Sequence, residues 1–214
     1  MEANQISLKT FAASIASIFF LEALFRLIPD LSTPNPWATL GAMRCLEAFL
    51  LVSISVFLEK DPGTIGLRPA RMLQGFMRGL IWSAGFGTIV GIVCLVLLTA
   101  GINALHFFGN PYHASRQQFF IFFLVGGLIG PIAEEIFFRG IIYGFFRQWG
   151  AAVAVISSTL LFVFLHPYGA NLPVTQTVGG LIFAVSYEIE KSLLVPITIH
   201  CLGNLAIFNI MIFI

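Results

Sequence analysis

Long apolar runs recur along this chain, and they dictate which solvent it can fold in. Residues 79–100, GLIWSAGFGTIVGIVCLVLLTA, contain no Asp, Glu, Lys, Arg or His. About 20 such residues suffice to cross the ~30 Å hydrocarbon core of a bilayer. Only 10% of the 214 residues are charged and 58% are hydrophobic, whereas a water-soluble domain carries roughly 25% charge. The mean hydropathy is +0.94. A membrane β-barrel would show short segments of alternating polarity, and these runs are continuous. The expected fold is therefore all-α, a polytopic transmembrane bundle of about seven helices.

Seven apolar segments can be marked, at 10–28, 38–58, 79–100, 118–146, 151–165, 174–188 and 193–213. The first carries Glu22 and Arg26 and no small-x-small cleavage pattern follows it, so it reads as a retained helix. Lys9, Lys60, Arg68, Arg71, Arg78, Arg147 and Lys191 fall on one side of such a bundle, and the other side receives only Arg116. Cytoplasmic loops are enriched in Lys and Arg, which places the N-terminus inside and the C-terminus outside. The localisation expected is an integral protein of a bacterial or archaeal cytoplasmic membrane. A net charge of +1 gives no electrostatic case for nucleic acid. Cys45, Cys94 and Cys201 lie in apolar segments without CxxC spacing and read as buried packing residues. His106 and His113 sit in a polar connection and read as solvated.

Short final connections and the unusual polar residues set 118–214 apart as a functional core. Residues 1–117 read as scaffold helices. An ionisable group inside a transmembrane helix costs about 2.5–3.5 kcal/mol on insertion scales unless it is relieved. PIAEEIFFRG, 131–140, carries three such groups. Glu135 and Arg139 are spaced i,i+4 and can neutralise one another. Glu134 points about 100° away around the helix and must face something else. FVFLH puts Phe162 and His166 on one face of the fifth segment; HCLGN does the same for His200 and Asn204 on the seventh. At ~1.5 Å per residue, Glu134, His166, His200 and Asn204 lie roughly 12–22 Å in from the cytoplasmic ends of their helices. Four polar side chains on three helices thus share one slab near mid-membrane. Pro131 and Pro196 are expected to kink their helices and make room for water. A smaller polar set, Glu22, Arg26, Arg44 and Glu47, suggests pairing between the first two helices, with a substrate entrance as the alternative.

A carboxylate in a water-poor cavity works as a general base on water, and an imidazole can share or relay the proton. A second imidazole and a carboxamide can donate to a developing oxyanion. These are the parts for hydrolysing an amide. Glu134, His166 and His200 also have the donor types of a zinc site with one open position, although no HExxH is present. Residue types alone leave both mechanisms open.

EEIFFR, FVFLH and HCLGN, in this order, resemble the CPBP family of intramembrane proteases, whose pattern is EExxxR, FxxxH and HxxxN or HxxxD. That family includes type II CAAX prenyl endopeptidases and bacterial proteins linked to bacteriocin processing or self-immunity, and it has often been labelled metalloprotease. The resemblance covers 118–214. It implies a glutamate-dependent endopeptidase in which Glu134, with His166, activates water. His200 and Asn204 would bind the oxyanion, Glu135 and Arg139 would hold the site's shape, and Phe162 would form a wall. The partners implied are the bilayer and a membrane-associated protein or peptide substrate. No cofactor is expected, with zinc open but not favoured. Two other functions compete: a non-enzymatic membrane immunity or interaction protein of the same fold, and a small transporter.

Overall fold

The computed structural model describes residues 5–27, 36–103, 116–166 and 173–213. His106 and His113 lie outside the described residues. Those described form seven helices and no strand, in keeping with the all-α membrane bundle expected. These are α1 (Leu8–Leu27), α2 (Pro36–Glu59), α3 (Met72–Thr99), α4 (116–149), α5 (Ala151–Leu165), α6 (Val174–Glu190) and α7 (Leu194–Phe213). Stretches including α1, α2, α3 and most of α4 are long and apolar enough to cross a membrane; α5 and α7 are shorter apolar helices. Helices are what such a sequence must form, because hydrocarbon offers backbone groups no partner outside the segment. Outward side chains such as Phe19, Phe20, Phe49, Phe57, Leu73 and Phe164 are largely exposed and apolar, as a lipid-facing surface requires.

The third helix begins at Met72, seven residues before the expected 79. Pro69 opens a short 3₁₀ turn that leads straight into it. The extra turns seat α3 against α7 through two small residues. A Cβ on Gly75 would lie 2.3 Å from Ser192 Oγ, and one on Gly79 would lie 2.5 Å from Thr198 Cβ. Close backbone approach of this kind is how helices associate in lipid. Farther along α3, Gly85, Gly87 and Gly91 have nothing within 4 Å of such a position. The expected burial of all three cysteines needs correcting. Cys201 is buried, Cys94 is half-buried, and Cys45 is exposed on the apolar outside.

α4 is not a uniform α-helix. Two π-helical stretches, Val125–Ile129 and Ile136–Tyr143, flank the short α-helical piece Gly130–Glu135 that holds both glutamates. Such widened turns often mark functional sites. The first is closed by Gly130 N–H on the Val125 carbonyl. In that pattern the next carbonyl, on Gly126, awaits an N–H from residue 131, which is proline and has none. Pro131 therefore opens its helix as expected. Pro196 does not, because it sits in the first turn of α7, where a backbone N–H has no helical acceptor in any case.

One end of the bundle is tied by polar links. Ser7 donates to Glu59, Arg147 forms a two-pronged pair with Glu188, and Tyr143 also donates to Glu188. Leu193 N–H meets the Gly66 carbonyl at 3.1 Å. The apolar core is built around α4, with Ile136, Ile141 and Tyr143 packed with Leu51, Ile65, Tyr187 and Leu193. A second cluster joins Phe138, Ile142, Phe162, Phe183, Val195 and Ile199 and forms the floor beneath the polar residues.

Candidate active site

The i,i+4 spacing of Glu135 and Arg139 produces the pair it promised. Arg139 Nη1 donates to Glu135 Oε1 at 2.9 Å, and both side chains are wholly buried. Arg139 Nη2 reaches across to the Gly180 carbonyl on α6 at 3.0 Å. The rings of Phe162, Phe183 and Phe138 stand 4.8, 5.2 and 5.7 Å from the guanidinium carbon. Aromatic faces stabilise a cation that has lost its water. Gly180 allows this approach: a Cβ there would meet Thr159 Cγ2 at 3.2 Å and Phe162 Cδ1 at 3.3 Å.

The same carboxylate oxygen holds a second group. His200 Nδ1 lies 2.8 Å from Glu135 Oε1, so α7 is bound to α4 through the partner of Arg139. A carboxylate beside a guanidinium accepts, which assigns the proton to Nδ1 and turns Nε2 of His200 outward. That Nε2 faces Glu134 Oε2 at 3.8 Å. Phe183 stacks on the His200 ring with centroids 4.6 Å apart and fixes its plane.

His166 is held by the same logic. It is the first residue beyond α5, in extended conformation, and its Nδ1 stands 2.6 Å from the Phe162 carbonyl. A carbonyl only accepts, so Nδ1 is again the protonated nitrogen. Its Nε2 lies 3.4 Å from Glu134 Oε2. Phe162 packs on the His166 ring with centroids 4.2 Å apart, which makes it the expected wall. Two imidazoles from different helices, each locked in one tautomer, thus present Nε2 to a single oxygen of Glu134.

Asn204 lies one turn beyond His200 on α7. Its Nδ2 donates to the Gly126 carbonyl at 2.9 Å, the group that Pro131 leaves without a helical partner. One amide N–H remains for another acceptor. Arg44 on α2 is a residue that the sequence did not place near the glutamates. It pairs with Glu47 at 2.6 Å and lies 3.8 Å from Glu22 on α1, and it is within electrostatic reach of Glu134. The expected α1–α2 pairing is therefore present, without Arg26, and it extends toward the carboxylate. The packing of α2 against the glutamate-bearing stretch of α4 joins the two sets, and no local spacing announces it.

Among the described residues no three His, Cys, Asp or Glu side chains are grouped closely enough to hold a metal ion. Metalloendopeptidase chemistry finds no support in this arrangement.

Fold and motifs together define a polytopic, helical membrane protein whose second half resembles the CPBP proteases. Residues 116–206 match the family described as Rce1-like, type II CAAX prenyl endopeptidase, which bears out the resemblance carried by the three motifs. The chain is 36% identical over 98 residues to the "Membrane-embedded CAAX protease MroQ" of Staphylococcus aureus (strain USA300), covering 42% of this chain and 38% of that protein. It is 26% identical over 181 residues to the "Putative membrane peptidase YdiL" of Bacillus subtilis (strain 168), covering 78% of this chain and 68% of that protein. No solved structure matches the chain.

Proposed function

We propose that this protein is an intramembrane endopeptidase that hydrolyses a peptide bond in a membrane-associated protein or peptide. The observation that carries the reading is the convergence of two tautomer-locked Nε2 atoms on Glu134 Oε2, at 3.4 and 3.8 Å. With neutral rings, carboxylate and nitrogens are all acceptors, and a water molecule has the two O–H donors to satisfy Glu134 and His166 together.

Such a water is oriented and polarised for attack. As its oxygen bonds to the scissile carbonyl carbon, Glu134 takes a proton. His166 passes that proton to the leaving amine nitrogen as the C–N bond breaks. The tetrahedral oxyanion needs donors. His200 provides one from Nε2 once that nitrogen carries a proton, and Asn204 provides its remaining amide N–H. Glu135 and Arg139 act on the reaction only through the position and charge of His200. The family match and the relatives' peptidase names support this reaction class. For the substrate we assign only the chemistry the site shares with them, a peptide held at the bilayer, with no organic cofactor and with the N-terminus cytoplasmic.

The test is cleavage of a membrane-peptide library by purified protein in vesicles, with and without chelator, beside Glu134→Gln. Cleavage that resists chelation and vanishes in the folded variant is expected. Equal cleavage by wild type and Glu134→Gln overturns the mechanism. Unchanged biological effect of both Glu134→Gln and His166→Ala would instead favour an immunity or interaction protein.

A further inference from the structure

A second polar site lies at the end of the bundle tied by Glu59, Arg147 and Glu188, and neither Glu134 nor its histidines line it. There the α2–α3 connection folds over the α6–α7 turn, and a small, partly enclosed recess with a cavity volume of about 50 Å³ opens between them. Arg68, Arg71, Arg78, Lys191, Glu190 and Ser192 are among its lining residues. Four cations thus surround one carboxylate, and that carboxylate is already engaged. Trp82 Nε1 donates to Glu190 Oε1 at 3.0 Å, and Arg78 Nε stands 3.9 Å from Oε2. Lys191 meets Glu188 at 2.9 Å. Arg71 is exposed and makes no ion pair among the described residues.

Two further features converge on the recess. α7 begins at Leu194, just past Ser192, so the positive end of a 20-residue helix adds to the field. On its outer side the first turns of α3 present Met72, Leu73, Phe76 and Met77, all exposed and apolar. A positively charged recess bordered by a greasy strip, at the level of an interfacial Trp, has two demands. A soluble anion answers only the first. A phospholipid answers both, with its phosphate in the recess and an acyl chain along α3.

We propose that this recess binds the phosphate-bearing headgroup of an anionic membrane phospholipid. The site is independent of the peptidase reading and stands if that reading fails. Charged headgroups recruit cations at the membrane surface with about fivefold in affinity per Lys or Arg.

The test titrates purified full-length protein in neutral detergent with phosphatidylglycerol, phosphatidylcholine or inorganic phosphate, reading thermal stabilisation. Selective stabilisation by phosphatidylglycerol is expected, weakened about fivefold in Arg71→Gln and more in Arg71→Gln/Arg78→Gln. Lys9→Gln, an exposed cation outside the recess, is the control and should behave as wild type. Arg71 is exposed, so its single variant remains informative if the double variant misfolds. Equal weakening by Lys9→Gln overturns the proposal, because the effect would then be surface charge alone. Undiminished phosphatidylglycerol binding by Arg71→Gln overturns it too. Equal stabilisation by phosphate at matched concentration would make the ligand a free anion and overturn the lipid assignment.

Discussion

Replacing Arg139 with Met should destabilise the protein far more than most single changes. Arg139 is 0% exposed, and its methionine substitute keeps much of the apolar stem while removing the charge. The change leaves Glu135, also 0% exposed, with His200 Nδ1 alone. Its second oxygen, Oε2, already lacks a hydrogen-bond partner. The Gly180 carbonyl loses its side-chain donor as well. Removing one member of a buried ion pair costs about 3–5 kcal/mol. For a chain of this size that corresponds to a fall in Tm of about 6–20 °C. The assay is thermal unfolding of purified protein in one detergent, with Glu135→Leu/Arg139→Met as the second arm. Removing both charges leaves no ion uncompensated, so the double variant should recover about half of the loss. The unpartnered Nδ1 of His200, about 1–3 kcal/mol, keeps the recovery incomplete. The double variant should also remain inactive, since the His200 ring has lost its tether. An Arg139→Met protein within about 0.5 kcal/mol of wild type would refute the reasoning, as would a double variant no more stable than that single one.

Other perturbations separate chemistry from architecture. His166→Ala should lower the turnover number for peptide cleavage by about 10²–10⁴-fold while shifting Tm little, because His166 is partly exposed at a helix end. Asn204→Ala should cost about 1–3 kcal/mol by leaving the Gly126 carbonyl without its donor, read as a lower unfolding temperature. On α3, Gly79→Ala should destabilise, since its Cβ would press within 2.5 Å of Thr198, whereas Gly91→Ala meets nothing within 4 Å. The latter change should stabilise by up to about 1 kcal/mol through helix propensity. Equal Tm shifts for the two glycines would contradict the α3–α7 packing.

The parts of the site that were legible in the sequence are those governed by the pitch of a single helix or by depth. Glu135 and Arg139 meet because residues four apart share a face, and Glu134 meets the histidines because all three lie in one slab. The bond from His200 to Glu135 was not legible. It depends on the rotation of α7 about its own axis relative to α4, and many inward-facing pairs lie at equal depth. Arg44 was missed for a similar reason, since its approach to Glu134 follows from how α2 packs on α4. The early start of α3 was hidden by Arg71 and Arg78, which read as connection although Arg71 closes the 3₁₀ turn leading into the helix and Arg78 lies within it. The π-helical stretches leave no trace in residue pattern, because apolar side chains on every face suit either pitch.

Those widened turns also set a limit on what the chain tolerates. Between Arg139 and the Tyr143–Glu188 anchor, α4 holds its residues in a looser coil than the rest of the bundle. Closing those turns to α pitch at unchanged chain length would spare every motif letter yet swing the acidic pair by about 100° against the anchored end. Both carboxylates would then be out of phase with the imidazoles they face. A signature scored only by its letters would pass such a chain as intact, although its gearing had slipped by one tooth.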